Sequence, residues 1–382
     1  MDINYMQSNS KHHFPHKVPG SFYIPAFVLL TALSGCKFRT DESRTEAPTS
    51  VNQEDPEAAT FDDIFTLTHT ATIEGSAEEP LFHMGHFAVT EKRIIIPDPE
   101  NHRILRFTRD GAFVDAWGRD GQGPGEFSAP DWAGVDRQGR IFVRENTPNF
   151  RVQRFDPSGH YLDGFPLYTF GPLTQSYIAE RDGETRFVTV TRVFCRDEEK
   201  QELCTVQEQD LQGEVLRRYA PEREIQPDFK GLPFIAGRDR AGRMYMAHRS
   251  GDRVAVYDAS GKVERFIDLK QSPDVVLIDM ASLPRDPVKR VEITRTLRHT
   301  IVRNIYPSGH YLVIDFLRIN FPEDVPKVVI DVFDTGGKLL YFGIEHAEGI
   351  TQGDKDRFYI VRQDESYDWG RYEIQDYKLR LP

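Results

Sequence analysis

From about residue 87 onward, hydrophobic and polar positions alternate in short bursts, and Gly, Asp or Pro soon interrupts each burst. That spacing suits β-strands joined by tight turns and is too broken for long amphipathic helices. Residues 121–159 show the rhythm most clearly. Ala133-Gly134-Val135-Asp136 is a short apolar strand. Arg137-Gln138-Gly139-Arg140 is a turn in which Gly139 is free to take positive φ. Ile141-Phe142-Val143 is the β-branched and aromatic run of a strand buried between neighbours. Arg151, Gln153 and Arg154 interleave with Val152 and Phe155, as in a third strand with a wetter face. Asp156-Pro157-Ser158-Gly159 turns again, and His160-Tyr161-Leu162 opens a fourth strand. A four-stranded sheet of this kind cannot bury both faces alone, so it predicts a ring of similar sheets, a β-propeller.

Weaker copies of the rhythm follow the chain. One lies upstream in Phe87-Ala88-Val89, Ile94-Ile95-Ile96 and Asp110-Gly111. A degenerate third runs through Phe187-Val188-Thr189-Val190 and Leu211-Gln212-Gly213, and a fourth through Met244-Tyr245-Met246 and Val254-Ala255-Val256-Tyr257. A fifth uses Leu312-Val313-Ile314 and residues 328–333; a sixth uses Phe358-Tyr359-Ile360-Val361 and residues 372–377. With about fifty residues per unit, residues 61–382 predict an all-β, six-bladed β-propeller. The sixth unit runs out before an outermost strand, whereas residues 61–68 read as a spare strand ahead of the first. An N-terminal strand that closes the last blade hides both sheet edges. Residues 287–298 break the rhythm: they start at Pro287, lack glycine and space Val288, Val291 and Leu297 on one side, which predicts a short helical insertion. The hexapeptide Pro-Ser-Gly-His-Tyr-Leu occurs at 157–162 and at 307–312, but at different turns of its two blades, so it does not set the register.

The unit at 121–159 resembles the NHL repeat, on Gly125, Phe127, Pro130, Val135, Asp136, Gly139, Ile141, Val143, Asn149, Arg151, Gln153 and Phe155. Arg144-Glu145 departs from it, standing where the family usually has Ala-Asp, and Phe150 follows the asparagine. The resemblance implies that Asp98, Asn101 and Arg103 in the preceding unit stabilise strands.

The first 60 residues read differently. A basic lead (Lys11, His12, His13, His16, Lys17) precedes an apolar run over residues 22–33, too short to span a bilayer comfortably, and Leu33-Ser34-Gly35-Cys36 follows. This order resembles the lipobox of bacterial lipoproteins, which implies removal of residues 1–35 and lipidation of Cys36. Residues 36–60, rich in Ser, Thr, Glu, Asp and Pro, then read as a disordered tether. The expected location is the cell envelope, extracytoplasmic and lipid-anchored, in the periplasm or at the outer membrane. Of the three cysteines, Cys195 and Cys204 remain and flank a charged hairpin-like loop; in an oxidising compartment they predict a disulfide.

A formal net charge of −12 and no basic stripe argue against a nucleic-acid partner. The only membrane-directed feature is the N-terminus. No nucleophile elbow, P-loop or dinucleotide fingerprint occurs, and no cofactor or metal is expected. In a propeller the default site is the channel mouth. His83, His86, Asp131, Trp132, Arg303 and Asn304 are the candidate ligand-binding residues there, beside Tyr177 and Phe234. They suit a small-molecule, glycan or protein ligand, and the expected function is that of a binding module. The alternative is a metal-dependent hydrolase, lactonase or lyase with its site in the channel. A calcium would draw on Glu145, Asp131, Asn304 and Asp98, at spacings that match no known pattern. A zinc would draw on His83, His86, His248 and His310, but His83 and His86 on one strand would face opposite sides.

Overall fold

Turn residues flank each apolar burst, so the chain folds hairpin by hairpin. In the computed structural model it forms six antiparallel sheets set in a ring. The structure describes residues 56–146, 149–169, 175–195, 202–225, 234–273, 275–278, 286, 289, 293, 296–319, 327–354 and 356–381. From the innermost strand outward, blade 1 is Ala88–Val89, Arg93–Asp98, Arg103–Thr108 and Phe113–Trp117. Blade 2 is Pro130–Val135, Ile141–Glu145, Arg151–Phe155 and Tyr161–Pro166, matching the unit read most clearly from sequence. Blade 3 is Gln175–Arg181, Glu184–Phe194, Leu203–Gln209 and Val215–Pro221; blade 4 is Phe234–Arg238, Met244–His248, Arg253–Tyr257 and Val263–Asp268. Blade 5 is His299–Ser308, Tyr311–Ile319, Lys327–Asp334 and Leu339–His346.

Blade 6 combines both ends of the ring. Gln352–Asp354, Arg357–Gln363 and Arg371–Leu379 are completed by Phe65–Glu74 as the outermost strand, with Leu67 opposite Tyr377 and Ile73 opposite Tyr372. The expected closure is therefore present, with one correction of detail. Phe61–Ile64, read as the start of that strand, is a single helical turn. Its cause is local: the Asp63 carboxylate takes the Thr60 N–H at 2.9 Å, while Phe61 and Ile64 point into the core. Just before it, Glu57–Ala58 pairs in parallel with Leu339–His346 and adds a fifth strand to blade 5. A second helical turn that the sequence reading missed is Glu222–Ile225. The helical insertion expected at 287–298 lies largely outside the described residues, as do Cys36 and the signal and lipidation sequence around it.

One device closes many of the hairpins. The Asp136 carboxylate accepts the N–H groups of Gln138 and Arg140 at 3.0 and 2.9 Å, while Gly139 takes φ 79°. Asp156, Asp210, Asp258 and Asp334 capture the N–H four residues on in the same way. Such a carboxylate satisfies backbone donors that the turn would otherwise leave open. The two copies of the hexapeptide indeed fall at different turns: Ser158 and Gly159 join the outer two strands of blade 2, and Gly309 joins the inner two of blade 5.

The core is divided among the gaps between blades. Six clusters of buried side chains fill it, one for each pair of neighbours. Ile104, Phe127, Ile141 and Phe155 join blades 1 and 2, and Trp132, Phe142, Phe165 and Phe187 join blades 2 and 3. The closing gaps hold Phe61, Phe65, Ile330 and Phe358 between blades 5 and 6, and Ile73, Ile94, Phe107 and Tyr359 between blades 6 and 1. Each sheet thus buries its faces only when the circle is complete. Cys195 and Cys204 are joined by a disulfide across the hairpin of blade 3, with Cα atoms 4.9 Å apart. No helix among the described residues is long and apolar enough to cross a membrane.

Candidate functional site

The two ends of the ring differ. At one end the chain reverses through short Asp-Gly turns. At the other, where the innermost strands begin, the connections are longer, and 272–298 separates blade 4 from blade 5. Long connections held by a rigid scaffold are the usual place for recognition.

At that end the channel wall is drawn together by a closed hoop of hydrogen bonds, one link for each pair of blades. Between blades 1 and 2, the His86 N–H donates to the Asp131 carbonyl (2.9 Å) and the Ala133 N–H to the His86 carbonyl (2.8 Å). Between blades 2 and 3, Arg144 grips both Asp131 carboxylate oxygens (2.9 and 2.7 Å) and donates its remaining arm to the Ser176 hydroxyl at 2.9 Å. Between blades 3 and 4, the Tyr177 hydroxyl donates to the Ala236 carbonyl (2.8 Å), and the Ala236 N–H donates to Gln175 Oε1 (2.6 Å). The Val302 N–H donates to the Arg249 carbonyl at 2.8 Å between blades 4 and 5. Asn304 Nδ2 and the Tyr306 hydroxyl both donate to the Ile350 carbonyl (3.5 and 3.0 Å) between blades 5 and 6. Gln352 Nε2 donates to the Phe87 carbonyl at 2.5 Å and completes the circuit. The wall is tight at Gly353, where an added Cβ would lie 2.4 Å from the Tyr306 ring.

Several groups on this wall keep chemistry in reserve. His86 is exposed, and its ring stacks on Trp132 with centroids 6.1 Å apart. Desolvation, then the nearby Arg144 charge, holds its pKa below the ordinary imidazole value. His86 is therefore neutral at pH 7, with one ring nitrogen able to donate and one to accept. Among the described residues the buried indole N–H of Trp132 finds no acceptor, and neither does Arg249 Nε. Burial and the Arg303 charge both lower the Arg249 pKa, so two cations face each other here. Arg303 leans on Asp315 at 3.6 Å, whose buried carboxyl is raised to about 7 by desolvation.

A pH dependence follows. His86 and His248 are both held below 6.5, His248 to about 4, chiefly by desolvation. The unfolded chain then binds more protons than the native ring as pH falls below 6.5, so stability falls with it. Asp315 acts in the opposite sense, since its folded pKa is raised and stability from it is lost as pH rises from 3.8 towards 7. Chemical denaturation across pH 4–7 should show His86→Gln and His248→Gln each flattening the acid limb, and Asp315→Asn steepening it.

Of the residues named from sequence, the structure brings His86, Asp131, Trp132, Tyr177, Arg303 and Asn304 to this wall. Phe234 is fully buried beside His248, with ring centroids 5.5 Å apart. His83 is exposed and makes no hydrogen bond to the wall. Glu145 and Asp98 are engaged elsewhere: Glu145 takes Ser128, Asn149 and Arg151, and Asp98 takes Asn101 and Arg103. His310 lies at the turn between the inner strands of blade 5, at the opposite end of that hairpin from the wall. Among the described residues no three His, Cys, Asp or Glu side chains are grouped to hold a metal ion. Sequence reasoning missed Arg144, Gln175, Ser176, Arg249, Tyr306 and Gln352. For Arg144 a signal existed: it stands where the repeat pattern has alanine.

The comparisons agree with this architecture. A family model described as a 6-bladed beta-propeller matches residues 40–163. A candidate exported protein of Bacteroides fragilis NCTC 9343 has a similar structure, with a TM-score of 0.60 at 11% identity over 86% of this chain and 98% of its own. A member of the DUF4221 family from Bacteroides vulgatus is similar with a TM-score of 0.58 at 11% identity, over 83% of this chain and 98% of its own. At these identities the likeness is one of fold. Among curated proteins, none matches this chain.

Proposed function

We propose that the protein is a lipid-anchored, extracytoplasmic binding module, held to the cell envelope through Cys36, which takes a polar ligand, a glycan or a protein segment at the channel mouth. The observation that carries the reading is the accessible, neutral His86 stacked on Trp132. A neutral imidazole held against a buried indole offers one hydrogen-bond donor and one acceptor to a polar ring or peptide. The long connections at the same end support it, since recognition concentrates on such segments of a rigid scaffold. The enzyme alternative has no observation in its favour among the described residues. The NHL resemblance accounts for the carboxylate–Asn–Arg sets of blades 1 and 2, which this reading treats as strand supports.

Two measurements test the proposal. Mass spectrometry of the protein from its native host should find an acylated peptide starting at Cys36; an intact, unmodified N-terminus removes the anchor. Glycan and peptide arrays probed with wild type and His86→Ala should give binding that the variant loses by about tenfold or more. Equal binding by the two would remove the channel mouth as the site.

A further inference from the structure

At the other end of the ring, over the seam where Phe65–Glu74 pairs with Arg371–Leu379, lies a cavity of about 830 Å³. It is formed by the turns of blades 1, 5 and 6, with Arg240 reaching in from blade 4. Its volume is within the range of small-molecule sites. Val89, Leu379 and Leu381 give it an apolar side.

The charges on its other side are unevenly matched. Asp376 is buried, and both Arg109 (2.7 Å) and Arg357 close on its Oδ2, while Oδ1 has no hydrogen bond among the described residues. One carboxylate thus answers two guanidinium groups. Arg357 also stands directly opposite Lys378 across the strand pair, a placement of like charges that weakens a sheet. Lys378 is exposed and has no hydrogen-bond or ion-pair partner among the described residues. Arg240 is held at the rim by Asp356, and Glu91 is the remaining acid of the lining. This local excess of positive charge occurs on a chain whose formal net charge is −12.

We infer that this cleft binds a small organic anion, its carboxylate or phosphate group between Arg357 and Lys378 and its apolar body along Leu379 and Leu381. A guanidinium fork beside an ammonium suits such oxygen pairs. Binding relieves the Arg357–Lys378 repulsion that the free ring carries. The site is independent of the channel-mouth reading and lies at the opposite end of the blades.

Scanning calorimetry of the full chain at constant ionic strength tests this, with chloride replaced by phosphate or by D-glucuronate, and with neutral glucose as control. The wild type should gain roughly 2–4 °C in one of the two anions and nothing in glucose. Phosphate also stabilises proteins generally through exclusion from their surface, so the decisive comparison is with Lys378→Met. That variant should be at least as stable as wild type in chloride, because the repulsion is gone, and should lose the anion-dependent gain. Should it fail to fold, Arg357→Gln is read in the same way. A response to glucuronate alone identifies a carboxylate ligand, and a response to phosphate alone a phosphate. An equal gain in wild type and variant, or no gain in either anion, overturns the proposal.

Discussion

Phe65→Ala is expected to destabilise the ring by about 3–5 kcal/mol, the cost of truncating a well-packed aromatic side chain. Phe65 is 1% exposed, stacks on Phe61 with centroids 4.5 Å apart and meets Phe358 edge-on at 5.4 Å. It lies on the strand that closes the circle, so its loss is felt in the packing of blade 5 against blade 6. Removing the strand altogether, in a chain that starts after Glu74, should be more severe. Phe61, Ile64 and Phe65 would leave one inter-blade cluster and Ala71 and Ile73 another, and Arg371–Leu379 would become an open edge. Such a chain should aggregate or lose cooperative unfolding. Leu67→Ala is the control: Leu67 is on the same strand but 48% exposed, and its truncation should cost no more than about 0.5 kcal/mol. Urea denaturation of the three proteins measures the difference. Equal effects at Phe65 and Leu67 would mean that the closing strand is not a packed element of the ring.

Arg144→Ala should cost about 3 kcal/mol, near the lower end for breaking a buried ion pair. Arg144 is 4% exposed and Asp131 28%, so the carboxylate keeps some contact with water. Without the guanidinium, the Asp131 carboxylate keeps, among the described residues, only Asn146 at 3.3 Å, and Ser176 loses its donor from blade 2. The reverse prediction separates the pair from its parts. Replacing both members, with Arg144→Met and Asp131→Leu, should recover most of the loss, because neither charge is then left alone. A double-mutant cycle reads the coupling directly. A double variant as unstable as Arg144→Ala would show that the damage comes from lost packing at the wall instead.

Legibility in the sequence followed the range of the interactions. The strands of blade 2 could be read because alternation and turn chemistry act between near neighbours, as Asp136 does on Gln138 and Arg140. Asp98 with Asn101 and Arg103, also a contact between near neighbours, was marked in the sequence only by the resemblance to the NHL repeat. The helical turn at Phe61–Ile64 was missed because Phe61 and Ile64 are apolar at a spacing that also fits a strand, and only the Thr60–Asp63 contact decides. The channel wall was half legible. His86, Asp131, Trp132, Arg303 and Asn304 were placed at the mouth by their position ahead of or on inner strands. That they also link one blade to the next could not be seen.

By itself the sequence determined the strand rhythm, the number of blades and the closure of the last blade by the first strand. Those follow from local alternation, from local turns and from the simple demand that no sheet edge be left open. Only the tertiary structure decided which polar groups form the hoop and which cations gather at the seam. Arg144 and Ser176 are 32 residues apart, Tyr177 and Ala236 59, and Gln352 and Phe87 265. No short-range pattern encodes such partners. They meet because a ring brings each inner strand against the next, and brings the last blade back against the first.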